Sequence, residues 1–405
     1  EIINCDKISV KYFPRLAANS LKNSIMGAFP EDINGVVAAV VTGDKSGIDE
    51  GTAADLNNAG LSHTVVVSGM HMSFLVSATA LMGGKSKRKA RIGIPIILFF
   101  MAMTGFTPSV VRAGVMSIFA LIAPACGREY DGATALAVSL ALLLAQNPYS
   151  IKSVGLQLSY TSTAGIMLFA RRIKLGMCSY LQSRHAWLDR LCRFIAASFA
   201  TSVSAIILPT PLLVLYFGRI AILSPVANLL SLWALSLIFL LGMIVGIVGV
   251  AFPGVAAVLM WVPWFFTKYF LFIAKLIGSV KFSVLYTDNV YVCLWLFSTY
   301  VISAMAIFGK LGRKKIYLPV GMVCILLCVA LLAQNNRNTG IAVVDVGQGQ
   351  CIVARTGDLS VVIDCGGNYR AADEAVKQLG NFGLPDIDYL ILTHFHADHA
   401  SGASK

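Results

Sequence analysis

From His63 onward the chain is a succession of apolar runs of roughly 15 to 25 residues divided by short polar breaks. A helix needs about 20 apolar residues to cross a bilayer. The runs fall at 63–82, 92–104, 109–126, 132–146, 154–170, 194–217, 223–251, 255–277, 289–308 and 316–333. Those at 92–104 and 132–146 are short and read as broken or re-entrant helices, which survive only where they face protein or a wet cavity. Composition agrees. The chain is 57% hydrophobic and 13% charged, with a mean hydropathy of +0.75, whereas soluble domains carry roughly 25% charged residues. The expected fold is therefore a polytopic α-helical membrane protein of about ten transmembrane helices.

Counting Lys and Arg in alternate loops orients those helices. One set of loops (83–91, 127–131, 171–193, 252–254 and 309–315) holds sixteen and the other holds three, so the first set is expected to be cytoplasmic. Both the amino-terminal region and the tail after Ala333 then lie outside. Residues 1–62 are polar to amphipathic, with helical runs at 34–41 and 52–61, and read as interfacial helices. The net charge of +12 suits anionic headgroups or a polyanionic ligand. Residue 1 is Glu and the chain stops six residues after His399, which reads as a fragment of a longer protein.

Residues 340–405 change character. Runs at 341–346 and 360–364 are β-branched and bounded by Gly, 372–379 is helical, and 389–393 is another strand. That order begins an α/β domain. Half of the six histidines fall in Thr393-His394-Phe395-His396-Ala397-Asp398-His399. His394 and His396 alternate on an extended segment, so their side chains share one face. Asp398 and His399 follow in the turn and face a second position. Such a set can hold one or two divalent metals and bring a bound water towards neutral pKa. Asp364, at a strand end before Gly366-Gly367, is placed to orient a ligand imidazole. Nine cysteines form no CxxC pair; Cys351 and Cys365 lie on neighbouring strands, where buried thiols and a disulfide are both open.

The HxHxDH turn resembles the metallo-β-lactamase fold, an αββα domain. Other stretches are Gly60-Leu61-Ser62-His63, Val67-Ser68-Gly69-Met70-His71, Thr104-Gly105-Phe106-Thr107-Pro108-Ser109-Val110-Val111-Arg112-Ala113, Asn147-Pro148 with Val154–Ser159, and Asp345-Val346-Gly347-Gln348-Gly349. Together with the metal turn they resemble ComEC-type competence proteins, over about residues 28–405. The resemblance implies a channel domain (63–333) in the inner membrane that admits single-stranded DNA, and a nuclease head (340–405) that degrades the other strand. It also implies a DNA receptor outside and a cytoplasmic ATPase or helicase, since no GxxxxGK[ST] loop is present; a homo-oligomer is left open. The cofactor implied is zinc or manganese, up to two ions. Two departures stand out. Gln350 occupies a position where the family usually has Asp, and the family's upstream OB-like domain is absent. The remaining ligands of the family pattern would lie beyond Lys405, so the chain as given is not expected to be a competent nuclease.

Within the apolar runs, Ser68, His71 and Arg112 each cost several kcal/mol unless paired or hydrated. A DNA strand brings one negative charge per nucleotide and needs a wet, cationic path. His63, His71, Arg112, Ser68, Gly69 and Lys268 are the candidates for lining it. The alternative is that the polar groups only bond across helices, with Gln157 and Ser159 as interhelical links. A reading from another class is a membrane-anchored hydrolase of a lipid, cell-wall or signalling ester that transports nothing, and a third is a small-molecule exporter with a vestigial head.

Overall fold

The computed structural model describes residues 12–283 apart from 68, 82–84, 181–184 and 281–282, scattered positions from 284 to 329, and 339–403 apart from 358, 368–370 and 383–386. It divides into two compact units, one built from residues 1–210 and 221–283 and the other from 211–220 and 284–405.

The first unit is helical. It comprises α1 (Phe13–Ala28), α2 (Glu31–Thr42), α3 (Glu50–Asn58), α4 (Ser62–Val65), α5 (Gly69–Leu81), α6 (Ser86–Met103), α7 (Pro108–Ala125), α8 (Gly132–Gln146), α9 (Val154–Gly165), α10 (Arg171–Tyr180), α11 (Ala186–Ile207), α13 (Ser224–Ala251), α14 (Pro253–Leu259) and α15 (Trp261–Gly278); α12 (Thr210–Phe217) straddles the division. Among the described residues three helices are long and apolar enough to cross a membrane: Pro108–Ala125, Trp187–Ile207 and Ser224–Ala251. The pair Pro253–Leu259 and Trp261–Gly278, bent by 49°, makes a fourth if it is one span. The expected ten are therefore not all seen. α5 has 13 residues and α8 has 15, too short to span alone. The segments at 289–308 and 316–333 lie outside the described residues save for isolated positions. Two of the expected polar loops are helical instead. α6 begins at Ser86, so its first turns carry Lys87, Arg88, Lys89 and Arg91. A π-turn at Ile166–Ala170 carries α9 into α10, so Arg171, Arg172 and Lys174 lie on a helix.

α13 runs through the centre of this unit. Ala227, Ala234, Leu235, Ile238 and Phe239 are fully buried on it. Small residues let its neighbours approach closely: a Cβ on Gly246 would sit 2.6 Å from a Leu21 methyl on α1. The same small-residue stripe brings α2 against α13, with Val37 and Val41 beside Gly242. Every residue of α2 from Ile33 to Thr42 is buried. The run at 34–41, expected to be interfacial, is packed against other helices of this unit, and the reason is physical: beyond Glu31 and Asp32 the helix is apolar on nearly all sides, and such a helix is driven inside.

The second unit contains a four-stranded sheet in the order β1 (Thr339–Val343), β2 (Cys351–Thr356), β3 (Leu359–Cys365), β4 (Tyr389–Ile391). The first three strands are antiparallel and β4 joins β3 in parallel through α16 (Ala371–Phe382). Cys351, Val353, Val362 and Cys365 on one sheet face pack with Ala371, Ala372, Ala375 and Leu379 of α16. A short helix, α17 (Ala397–Ala400), follows β4.

Candidate metal centre

The β2–β3 ladder places the first candidate carboxylate. Cys351 faces Cys365 and Ile352 faces Ile363, which leaves Asp364 as an unpaired bulge residue. Its φ is +55°, a left-handed conformation that Asp adopts more readily than most side chains. Bulges re-aim side chains at functional sites, and here the bulge turns Asp364 inward, where it is fully buried.

Three donors meet that carboxylate. The Thr393 N–H donates to Oδ1 at 2.8 Å, the Thr393 hydroxyl to Oδ2 at 2.8 Å, and His399 Nδ1 to Oδ2 at 2.8 Å. Burial alone would raise the Asp364 carboxyl. The hydrogen bonds from His399 and Thr393 outweigh it and hold the group at about 2. An ionised Asp364 accepts only, so His399 carries its proton on Nδ1 and leaves Nε2 as a lone pair. The Thr393 hydroxyl has one hydrogen, already given to Asp364. His394 Nδ1, 3.0 Å from that oxygen, is therefore the donor in its contact, which leaves His394 Nε2 open as well.

His394, His396 and Asp398 offer ligand atoms that all lie within 4.8 Å of one another. The His394 ring is 5.0 Å from that of His396 and 3.8 Å from that of His399. His399 Nε2 lies 3.6 Å from an Asp398 oxygen. Imidazole nitrogens plus one carboxylate, exposed at a turn, suit a divalent cation of the zinc or manganese kind. The residues present fit such an ion.

Close backbone packing holds the turn. A Cβ on Gly366 would overlap the His399 nitrogen and the Asp398 carbonyl carbon. The Gln350 N–H donates to the Asp398 carbonyl at 3.0 Å, so Gln350 borders the turn with a neutral side chain. Thr393 and Gly366 hold the candidate turn through hydrogen bonds and close packing, which reading along the sequence does not reveal. The only signal for Thr393 is its place directly before the first histidine.

Residues 40–314 match the family model described as competence protein, and residues 344–405 match that of the metallo-beta-lactamase superfamily. The chain belongs to the competence protein family. It is 24% identical over 413 residues to ComE operon protein 3 of Bacillus subtilis (strain 168), covering 95% of this chain and 50% of that protein. It is 23% identical over 418 residues to competence protein ComA of Neisseria gonorrhoeae, covering 96% of this chain and 54% of that one. The chain thus spans about half the length of the curated relatives it matches. No solved structure matches it.

In this competence-family body the candidate path residues separate. Arg112 on α7 donates through Nε to Ser159 Oγ on α9 at 2.7 Å and lies 3.7 Å from the Met116 sulfur. Its other terminal nitrogen lies beside Gly69 on α5, 3.2 Å from where a Cβ would stand. Gly69, Arg112 and Ser159 therefore meet. His71, two residues further along, turns away and is fully buried, with its ring 4.9 Å from Phe239 and 6.4 Å from Phe74. Lys268 pairs with Asp32 at the start of α2 and lies 6.0 Å from the Trp264 ring. His63 is exposed on α4. Gln157 donates to the Ile151 carbonyl, and Ser159 links α9 to Arg112 of α7. Ser68 lies outside the described residues.

Proposed function

We propose that this competence-family chain forms the membrane body and part of the metal-dependent head of a protein that takes up DNA during transformation. In this reading the helical body conducts single-stranded DNA across the inner membrane, and the head, on the outer side with the amino-terminal region, degrades the strand left behind. A receptor outside and a cytoplasmic ATPase or helicase would deliver and pull the strand.

The observation that carries the reading is the orientation of His399 by buried Asp364 beside the converging His394, His396 and Asp398, on a chain whose body matches the competence family. His394, His396 and Asp398 would hold one divalent ion, and Asp398 with His399 a second; a bound ion supplies Lewis-acid activation of water. The chain's own residues do the rest. Asp364 fixes the tautomer of His399, Thr393 couples that carboxylate to His394, and Arg112 offers a cation beside the break that precedes α5. In a full-length protein that carries the remaining ligands, replacing His396 with Ala should remove zinc- or manganese-dependent DNA cleavage; cleavage that persists unchanged would overturn the ligand assignment.

A second reading has its own support. His71 packed among aromatic rings and Lys268 paired with Asp32 behave as structural groups, which favours a membrane-anchored hydrolase of a lipid, cell-wall or signalling ester. Replacing Arg112 with Ala separates the two: transformation is lost under the channel reading and retained under the anchor reading.

A further inference from the structure

Cys351 and Cys365 take no part in the ligand turn, yet they lie directly beneath it. They are cross-strand partners at the ends of β2 and β3, 0% and 5% exposed, on the face covered by α16. Both are free thiols in the structure. The Gly366 N–H donates to the Gln350 carbonyl at 3.1 Å. In an antiparallel ladder, a bond between the residues just outside a pair marks that pair as non-hydrogen-bonded. Such pairs bring their Cα atoms to about 4.5 Å, inside the range of roughly 4.4–6.8 Å that a disulfide spans. The bulge at Asp364 creates this opposition. Without the extra residue, Asp364 and not Cys365 would stand across from Cys351.

Each cysteine is flanked by groups that grip the metal turn. Next to Cys351, Gln350 bonds Asp398. Next to Cys365, Asp364 bonds His399 and Thr393 on one side, while Gly366 packs on His399 on the other. The Cys365 carbonyl itself accepts from the Gly402 N–H at 2.6 Å. The two strand ends are therefore the clamp on the turn, and nothing covalent joins them.

We propose that Cys351 and Cys365 are a disulfide-forming pair whose bond closes the two strand ends beneath the metal turn. The oxidant is a glutathione-type disulfide. One cysteine thiolate attacks it and expels a glutathione thiolate, giving a mixed disulfide. The second cysteine, losing its proton, attacks the mixed disulfide and expels the other glutathione. Two protein thiols are oxidised and one disulfide is reduced to two thiols.

The test uses the whole chain, solubilised from membranes, incubated with oxidised glutathione, quenched with N-ethylmaleimide, unfolded and cut with trypsin. Cleavage after Arg337, Arg355 and Arg370 puts Cys351 in peptide 338–355 and Cys365 in peptide 356–370. The expected result is one linked species, lighter by two hydrogens than the two thiol peptides together, and loss of maleimide label from both. Recovery of both peptides separately, each carrying label, would overturn the proposal. The Cys351→Ser variant should leave Cys365 labelled, or joined only to glutathione. Amide exchange across 398–402 should be severalfold slower in the linked form, and equal rates would overturn the clamp.

Discussion

Asp364 joins backbone geometry to ligand chemistry more directly than any other described residue. Replacing it with Asn keeps the shape but lets the side chain present an N–H where it now accepts three bonds. His399 would lose its fixed tautomer, and divalent-metal affinity should fall roughly 10- to 100-fold, read by equilibrium dialysis against zinc; unchanged affinity would remove Asp364 from the site. Gly366→Ala should cost as much through sterics, because the added methyl overlaps the His399 backbone. The candidate ligands His394 and His396 are legible in the sequence, because a two-residue alternation on an extended segment needs no knowledge of the fold. Gly366 and Thr393 are not, since their roles depend on segments about thirty residues apart in the chain meeting backbone to backbone.

At the level of elements, helical periodicity locates most of the long apolar helices of the body but misses α1 and α10, and it fails where burial depends on partners. α2 is too short to span a bilayer, so the sequence suggests an interfacial helix; its burial depends on α13, where Gly242 admits Val37 and Val41, and on α1, whose Leu21 fits against Gly246 of that same helix. Gly246→Leu should push α1 off α13 and cost about 1–3 kcal/mol, measured as a lower unfolding midpoint in detergent. The loop after α2 offers a pH test. Hydrogen bonding to Lys22, then to Ser46, holds the Asp44 carboxyl at about 2, below its usual 3.8. A depressed folded pKa contributes stability that is present above about 3.8 and lost as pH falls through about 2. The unfolding difference between the parent and Asp44→Asn should thus be constant from neutral pH to near 4 and vanish on further acidification. A constant gap down to pH 2 would assign it to packing alone.

For the whole molecule, the asymmetry of Lys and Arg between alternate loops sets the expected orientation. Cysteine introduced at position 396 should react with a membrane-impermeant maleimide applied to intact cells, and protection until the membrane is opened would put the head in the cytoplasm. The burial of α2 also bears on how the molecule is made. The faces of Val37 and Val41 are closed by Gly242, about two hundred residues further along. Synthesis proceeds from the amino terminus at roughly 5–20 residues per second, so α2 must wait many seconds for its cover. During that interval an apolar helix too short to cross the bilayer has no permanent neighbour on its α13 side. A nascent chain halted near residue 220 should accordingly be cut by protease in the Gly43–Gly47 loop, and one extended past α15 should resist. The body is completed from its far end backwards.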